Sequence, residues 1–248
     1  MKSIQFVLSP AAGKVLIAKG LASDEKIRQA VNEHTVVIVK GTTNAYLAAE
    51  LLKNIGEEFD KHGFFRGVVK DPQVKLNYPV QEKDIVIRQG KLCPEDDVYT
   101  VAEELGENDY AFKGANAVDL KTREAGVLIG NPTSGTMVPL MAAAVGRRVK
   151  LIHPVGVEKR VEESIHSLAR LCNNTEGTGL RFYPSAGQAY TEIDALKDLF
   201  GVEAHILSAG GVGGYEGCTY FQCTGEEEAL EKCQALIREI QSEPVYEL

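Results

Sequence analysis

Residues Val36 to Leu51 read VVIVKGTTNAYLAAEL, an apolar strand that passes through Gly41, Thr42, Thr43 and Asn44 directly into an amphipathic helix. A helix that starts this way leaves its first backbone N–H groups unpaired. Those amides, with the positive end of the helix dipole, favour a phosphate or carboxylate. Gly41 lets the backbone approach a ligand closely, and the next three side chains supply short donors or a helix cap. The same turn also suits a capped helix with nothing bound. A second segment, Ala125 to Val145 (AGVLIGNPTSGTMVPLMAAAV), repeats the pattern. Its strand enters a loop containing Gly130, Asn131, Thr133, Ser134, Gly135 and Thr136. A helix then carries Met137, Leu140, Met141 and Ala144 at helical spacing. Between the two units lies a polar loop, Lys113 to Leu120 (KGANAVDL), with Lys113, Gly114 and Asn116 as further donors. In open α/β sheets, ligands sit beyond the carboxyl ends of the strands, so three such turns predict one ligand site at a sheet edge.

Three residues have the chemistry to move a proton. Asp119 is the carboxylate of the polar loop, Glu158 borders the lysine turn at Lys159, and His153 follows a buried strand. Each also has an ordinary role open to it: the carboxylates as surface or capping groups, the imidazole as packing at a strand end.

The elements that must position these residues alternate between strand and helix. Two helical segments, Ala11 to Leu21 and Asp24 to Val31, open the chain, and strands are expected at Thr35–Lys40, Phe64–Lys70, Asp84–Arg88, Tyr110–Phe112, Gly126–Ile129 and Val149–Val155. Helices are expected between them at Ala45–Ile55 and Val98–Leu105, and from Val157 to about Leu171. This order predicts an α/β fold, a Rossmann-like doubly wound, mainly parallel sheet. After the polar stretch Cys172 to Gly179, a β-α-β-β-α order predicts a small α+β ferredoxin-like lid at the C-terminal end. The expected division is therefore 1–172 for the core and 173–248 for the lid. The cluster GGVGGYEG lies between two short strands and reads as a hairpin turn.

Composition narrows the function. The 248 residues carry a formal net charge of −8, with 44% hydrophobic and 25% charged residues. That charge disfavours a nucleic-acid partner, which requires a basic face. No window has the length and apolarity of a membrane span, and the apolar run of MKSIQFVLSPAAGK breaks at Pro10, so a cytoplasmic protein without a membrane partner is expected. The five cysteines form no CxxC pair and the five histidines show no ligand spacing. Neither a metal nor a cofactor is expected, and the cysteines read as reduced thiols, with Cys233 on a helix's apolar face.

In their order, these segments resemble the superfamily of ribose-5-phosphate isomerase type A, sugar-phosphate deaminases, CoA transferases and methylthioribose-1-phosphate isomerase. VVIVKGTTNAYLAAEL resembles the first strand and phosphate loop, and DYAFKGANAVDL a strand with a Gly-Ala-Asp-type loop. GVLIGNPTSGTM resembles the next loop, LIHPVGVEKRV the strand before a lysine-bearing turn, and the tail the isomerase's lid. The resemblance implies that Gly41, Thr42, Thr43 and Lys159 hold a phosphate. It departs from the isomerase pattern at Lys113 and Asn116, where aspartates flank Gly-Ala, and at Asn131, Pro132, Thr133 and Ser134, which replace a lysine and glycines. The glutamate base is also missing, since Thr136 to Val145 holds no carboxylate. The expected function is to bind, and by one reading isomerise, a small phosphorylated sugar or related phosphorylated or carboxylated metabolite. The alternative is a ligand-sensing or regulatory protein on the same scaffold. A CoA transferase needs an exposed glutamate nucleophile that neither half shows, and ranks last. A homo-oligomer is expected by analogy alone.

Overall fold

The structure is a computed structural model and describes residues 2–248. The chain begins with β1 (Lys2–Leu8), α1 (Pro10–Ser23), α2 (Glu25–Glu33), β2 (Thr35–Ile38) and α3 (Thr42–Asn54). A long irregular loop leads to β3 (Ile85–Arg88), β4 (Lys91–Leu92), α4 (Val98–Val101), β5 (Tyr110–Phe112), β6 (Ala117–Asp119) and β7 (Glu124–Ile129). Then come α5 (Met137–Met141), β8 (Lys150–Pro154), α6 (Ile165–Cys172), β9 (Arg181–Tyr190), α7 (Glu192–Phe200), β10 (Glu203–Ala209), β11 (Thr219–Gly225) and α8 (Glu227–Ile240).

Local chemistry sets several boundaries. Ser9 caps α1 by accepting from the Ala12 N–H at 3.1 Å, and Pro10 follows at the first helical position. Asp24 closes α1 and caps α2 through the N–H groups of Lys26 and Ile27. Thr191 and Asp194 form a capping box at the start of α7, which ends on Gly201 in the left-handed region (φ 68°).

Eight strands form one sheet in the order β4-β3-β2-β5-β8-β9-β7-β6. Its centre, β2-β5-β8-β9, is parallel, and the strands at both edges run antiparallel. The sheet is therefore mixed. Alternation along β2 serves two cores, as a pleat requires. Val36 and Ile38 join Leu16, Ile17, Leu47 and Leu51 under α1 and α3, while Val37 and Val39 pack with Val98, Leu140 and Leu151 under α4 and α5. Helices cover both faces.

The boundary expected after Cys172 does not separate the sheets. Arg181–Tyr190 is a strand of the large sheet, between β8 and β7, and the small antiparallel sheet β1-β11-β10 takes its first strand from Lys2–Leu8. One hydrophobic cluster runs through both sheets, from Leu16 and Leu47 to Phe221, Cys223 and Cys233. Pro184 and Gly187 lie inside β9, yet both are accommodated. Pro184 sits opposite Gly126, and a Cβ at Gly187 would lie 2.7 Å from the His153 ring. Phe64–Lys70 is loop rather than strand, with Phe64 buried against Phe59.

The helix layer is close-packed. At Gly20 in α1, an added Cβ would lie 2.9 Å from the Ala195 Cα and 2.7 Å from its Cβ. Gly20→Val is expected to destabilise the protein by about 3 kcal/mol in a urea titration, because backbone cannot yield to the added methyls.

Candidate functional site

A cavity of about 400 Å³ opens where the turn after β2, the loop after β5 and the turn after β8 converge. Its wall carries Gly41, Thr42 and Thr43, then Lys113, Gly114 and Asn116, then Glu158 and Lys159. Lys14 of α1, Phe65–Lys70 of the long loop, Ala115, Leu128 and Leu248 also line it. A second chamber of about 340 Å³ adjoins it and shares Arg66, Val68, Lys113, Asn116 and Leu128. Gly130, Asn131, Ser134, Gly135 and Thr136 line this second chamber. Ser134 is held at φ 61°, an uncommon conformation for a residue with a side chain.

The turn at Gly41 is extended (φ 175°, ψ 148°), and α3 begins with no side-chain cap. Its first ladder bond runs from the Ala45 N–H to the Gly41 carbonyl at 2.8 Å. Among the described residues, the N–H groups of Thr42, Thr43 and Asn44 donate to nothing. Asn44 does not reach the cavity. Its side chain is buried and donates to the carbonyls of Val39 (2.7 Å) and Phe112 (3.0 Å), so it holds the ends of β2 and β5 together.

Six cationic side chains line the first cavity: Lys14, Lys40, Arg66, Lys70, Lys113 and Lys159. Among the described residues, Glu158 is the one acidic side chain on that wall. In a chain of net charge −8 this is a local reversal of sign, and a concave low-dielectric wall strengthens its field. Three of the six are tied in place. The Lys40 ammonium donates to the carbonyls of Gln81 and Glu82, and its backbone N–H donates to Asp84 Oδ1 at 2.9 Å. Arg66 pairs with Asp84 at 3.3 Å, and Lys159 donates to the Ala115 carbonyl at 3.2 Å. Burial, then the Arg66 charge, lowers the Lys40 pKa. Burial and the Lys159 charge lower Lys14 to about 8, against a smaller opposing pull from Glu158. Burial, then Arg66, and more weakly Lys159, lower Lys113 to about 8.

Behind the wall lies Glu192, the first residue of α7. It is buried, and its Oε2 accepts from the Val157 N–H at 2.9 Å. Burial first, and then the neighbouring Glu158 charge, push it up to about 8. Two glycines make room for this carboxylate pair. A Cβ at Gly13 would lie 2.4 Å from Glu192 Oε1, and one at Gly156 would lie 1.9 Å from Glu158 Oε2.

Two of the three expected proton carriers stand outside the cavity. His153 is fully buried, with Nδ1 2.5 Å from the Lys113 carbonyl and Nε2 2.6 Å from Ser185 Oγ. The carbonyl can only accept, so Nδ1 carries the proton and Nε2 accepts from the hydroxyl. Burial lowers its pKa to about 4, which keeps it neutral at pH 7. His153 positions Lys113 and does not face the cavity. Asp119 closes the β6–β7 turn, accepting from the N–H groups of Lys121 (2.8 Å) and Thr122 (3.3 Å). Thr133 is likewise a turn residue, donating its N–H and hydroxyl to Asn131 Oδ1.

Sequence reasoning missed Lys14, Lys40, Arg66, Lys70 and Glu192. Lys40 carried a signal: a charged residue inside an apolar strand, directly before the glycine turn. Among the described residues, no group of three or more His, Cys, Asp or Glu is placed to hold a metal ion, and no helix is long and apolar enough to cross a membrane. Comparison with protein-family models, curated proteins and solved structures found no match.

Proposed function

We propose that this protein binds a small phosphorylated sugar or a related anionic metabolite in the cationic cavity and moves a proton on it. One observation carries this reading: the unpaired amides at the start of α3 and six cationic side chains line a single cavity in an acidic chain. The amides and the cations hold the anion. Glu158, on the cavity wall, takes the proton, and Glu192, protonated at neutral pH, stands beside it without adding a second negative charge. The resemblance to sugar-phosphate isomerases belongs to this reading, with Glu158 in place of the missing family base.

Ribose 5-phosphate at about 100 times its Kd is expected to stabilise the fold by about 2.7 kcal/mol, raising Tm by several degrees. Lys159→Ala should remove most of that rise in a thermal-shift assay, and the absence of a shift with any phosphorylated compound would contradict the proposal.

A second reading, a sensor that binds without turnover, draws on the commitment of Asp119 and His153 to structural bonds. NMR of a bound sugar phosphate separates the two: exchange of the C2 proton with deuterated solvent supports the enzyme, and retention supports the sensor.

A further inference from the structure

Lys113 directly follows β5, and its side chain lines both chambers. Its backbone is fixed on each side. The N–H donates to the Ile152 carbonyl at 3.0 Å, and the carbonyl accepts from His153, itself held by Ser185. Lys40 and Lys159 are tied to loop carbonyls and Arg66 to Asp84, whereas the ammonium groups of Lys14, Lys70 and Lys113 make no hydrogen bond or ion pair among the described residues. Of these three, Lys113 is the one that lines both chambers. The chambers on either side also differ. The first holds the cations and the open end of α3. Beyond the shared wall, the second presents amide, hydroxyl and apolar groups, including Asn131, Ser134, Thr136, Met137 and Tyr99. A ligand anchored by phosphate in the first chamber would extend an uncharged, hydroxylated portion into the second, past this amine.

We propose that Lys113 is a carbonyl-reactive amine that condenses with the aldehyde or ketone of a phosphorylated, hydroxylated substrate spanning both chambers. The proposal rests on the anion-site reading above and names the substrate class. The ammonium first gives one proton to solvent in the open cavity, which burial and the nearby Arg66 charge make easier. The freed electron pair forms a C–N bond at the carbonyl carbon, giving a carbinolamine. The former carbonyl oxygen takes one proton from the attacking nitrogen and a second from solvent and leaves as water, and the nitrogen electron pair forms the C=N bond of an iminium ion. The iminium draws electrons from the adjacent C–H bond, whose proton Glu158 on the same wall can accept. Return of that proton and addition of water release the carbonyl compound and the amine.

The test is reductive trapping on the intact wild-type protein. Glyceraldehyde 3-phosphate, dihydroxyacetone phosphate and ribose 5-phosphate are each added with cyanoborohydride, whose hydride converts the iminium to a stable secondary amine, and the modified lysine is mapped by mass spectrometry. Thermal shifts with the same compounds are recorded without reductant. The expected result is one adduct per chain at Lys113, formed at pH 7.5 on the order of tenfold faster than at exposed lysines, with a midpoint near pH 8. Inorganic phosphate should slow it, and Lys113→Arg, which keeps the charge, should abolish it. A thermal shift with no Lys113 adduct from any compound, or labelling spread evenly over surface lysines, overturns the amine and leaves the anion site standing. An adduct at Lys113 with no thermal shift and no protection by phosphate supports the amine and overturns the phosphate anchor.

Discussion

Gly41→Asp is expected to leave the protein at least as stable as the wild type while weakening the proposed binding of phosphate at least about 100-fold. The backbone at Gly41 is extended, a conformation open to any residue and the usual one for a helix cap. An added Cβ would meet nothing nearer than the Val39 carbonyl oxygen at 4.0 Å. The new carboxylate would accept from the amides at the start of α3, which have no acceptor, and would sit among the cavity cations. A gain of a few tenths to about 1 kcal/mol follows from capping and the helix dipole. The same carboxylate occupies the anion position and repels an incoming phosphate. At an effective dielectric near 20, two such charges 4 Å apart cost about 4 kcal/mol, so an affinity loss of at least about 100-fold is expected. Urea denaturation and calorimetric titration with ribose 5-phosphate check the two halves. Unchanged affinity would place the ligand elsewhere.

Glu192→Gln is expected to stabilise the protein at alkaline pH and to cost it proton transfer. The Glu192 carboxyl has an ordinary pKa of 4.5 and titrates near 8 when folded, through burial and then the charge of Glu158. Between those values the native state holds a proton that the unfolded chain has lost. The slope of stability against pH is therefore negative in this window. At pH 4 and below both states are protonated and the group costs nothing. Stability falls as pH rises, and above pH 8 the full penalty of a buried carboxylate beside Glu158 is present. The amide cannot ionise, and its oxygen still accepts from the Val157 N–H. Thermal melts should coincide near pH 4 and diverge towards pH 8.5, where the variant is expected to be more stable by about 2 kcal/mol or more. Exchange of a substrate proton should fall by at least about tenfold if the pair works in catalysis. Equal pH profiles for the two proteins would contradict the account of Glu192.

The glycine turn at Gly41, the loops at Lys113–Asn116 and Gly130–Thr136, and the turn at Lys159 were legible because their signals are local. A glycine with short donors at a strand end limits what the backbone can do, whatever packs around it. The structure brings those turns to adjoining chambers. Lys14, Arg66 and Glu192 were hidden because each enters from an element distant in sequence. Glu192 also resembles an ordinary first-turn acid after a capping Thr191, and only burial beside Glu158 distinguishes it. His153 failed as a proton carrier for a similar reason. A histidine on a strand is visible in the sequence, but the Lys113 carbonyl and Ser185 hydroxyl that engage it are not. β2 and β3 were readable from their Val and Ile content. The pairing of β1 with β11 and the insertion of β9 beside β8 depend on contacts between distant segments, which alternation within one strand cannot specify.

The central claim is that unpaired amides and converging cations form one anion site. A crystal of the wild-type protein soaked in tungstate, a heavy analogue of phosphate, tests it most directly by anomalous scattering. The expected peak lies within hydrogen-bond distance of the Thr42 and Thr43 amides, with the ammonium groups of Lys113 and Lys159 turned towards it. Strong peaks confined to the outer surface, with that cavity empty at saturating tungstate, would contradict the account.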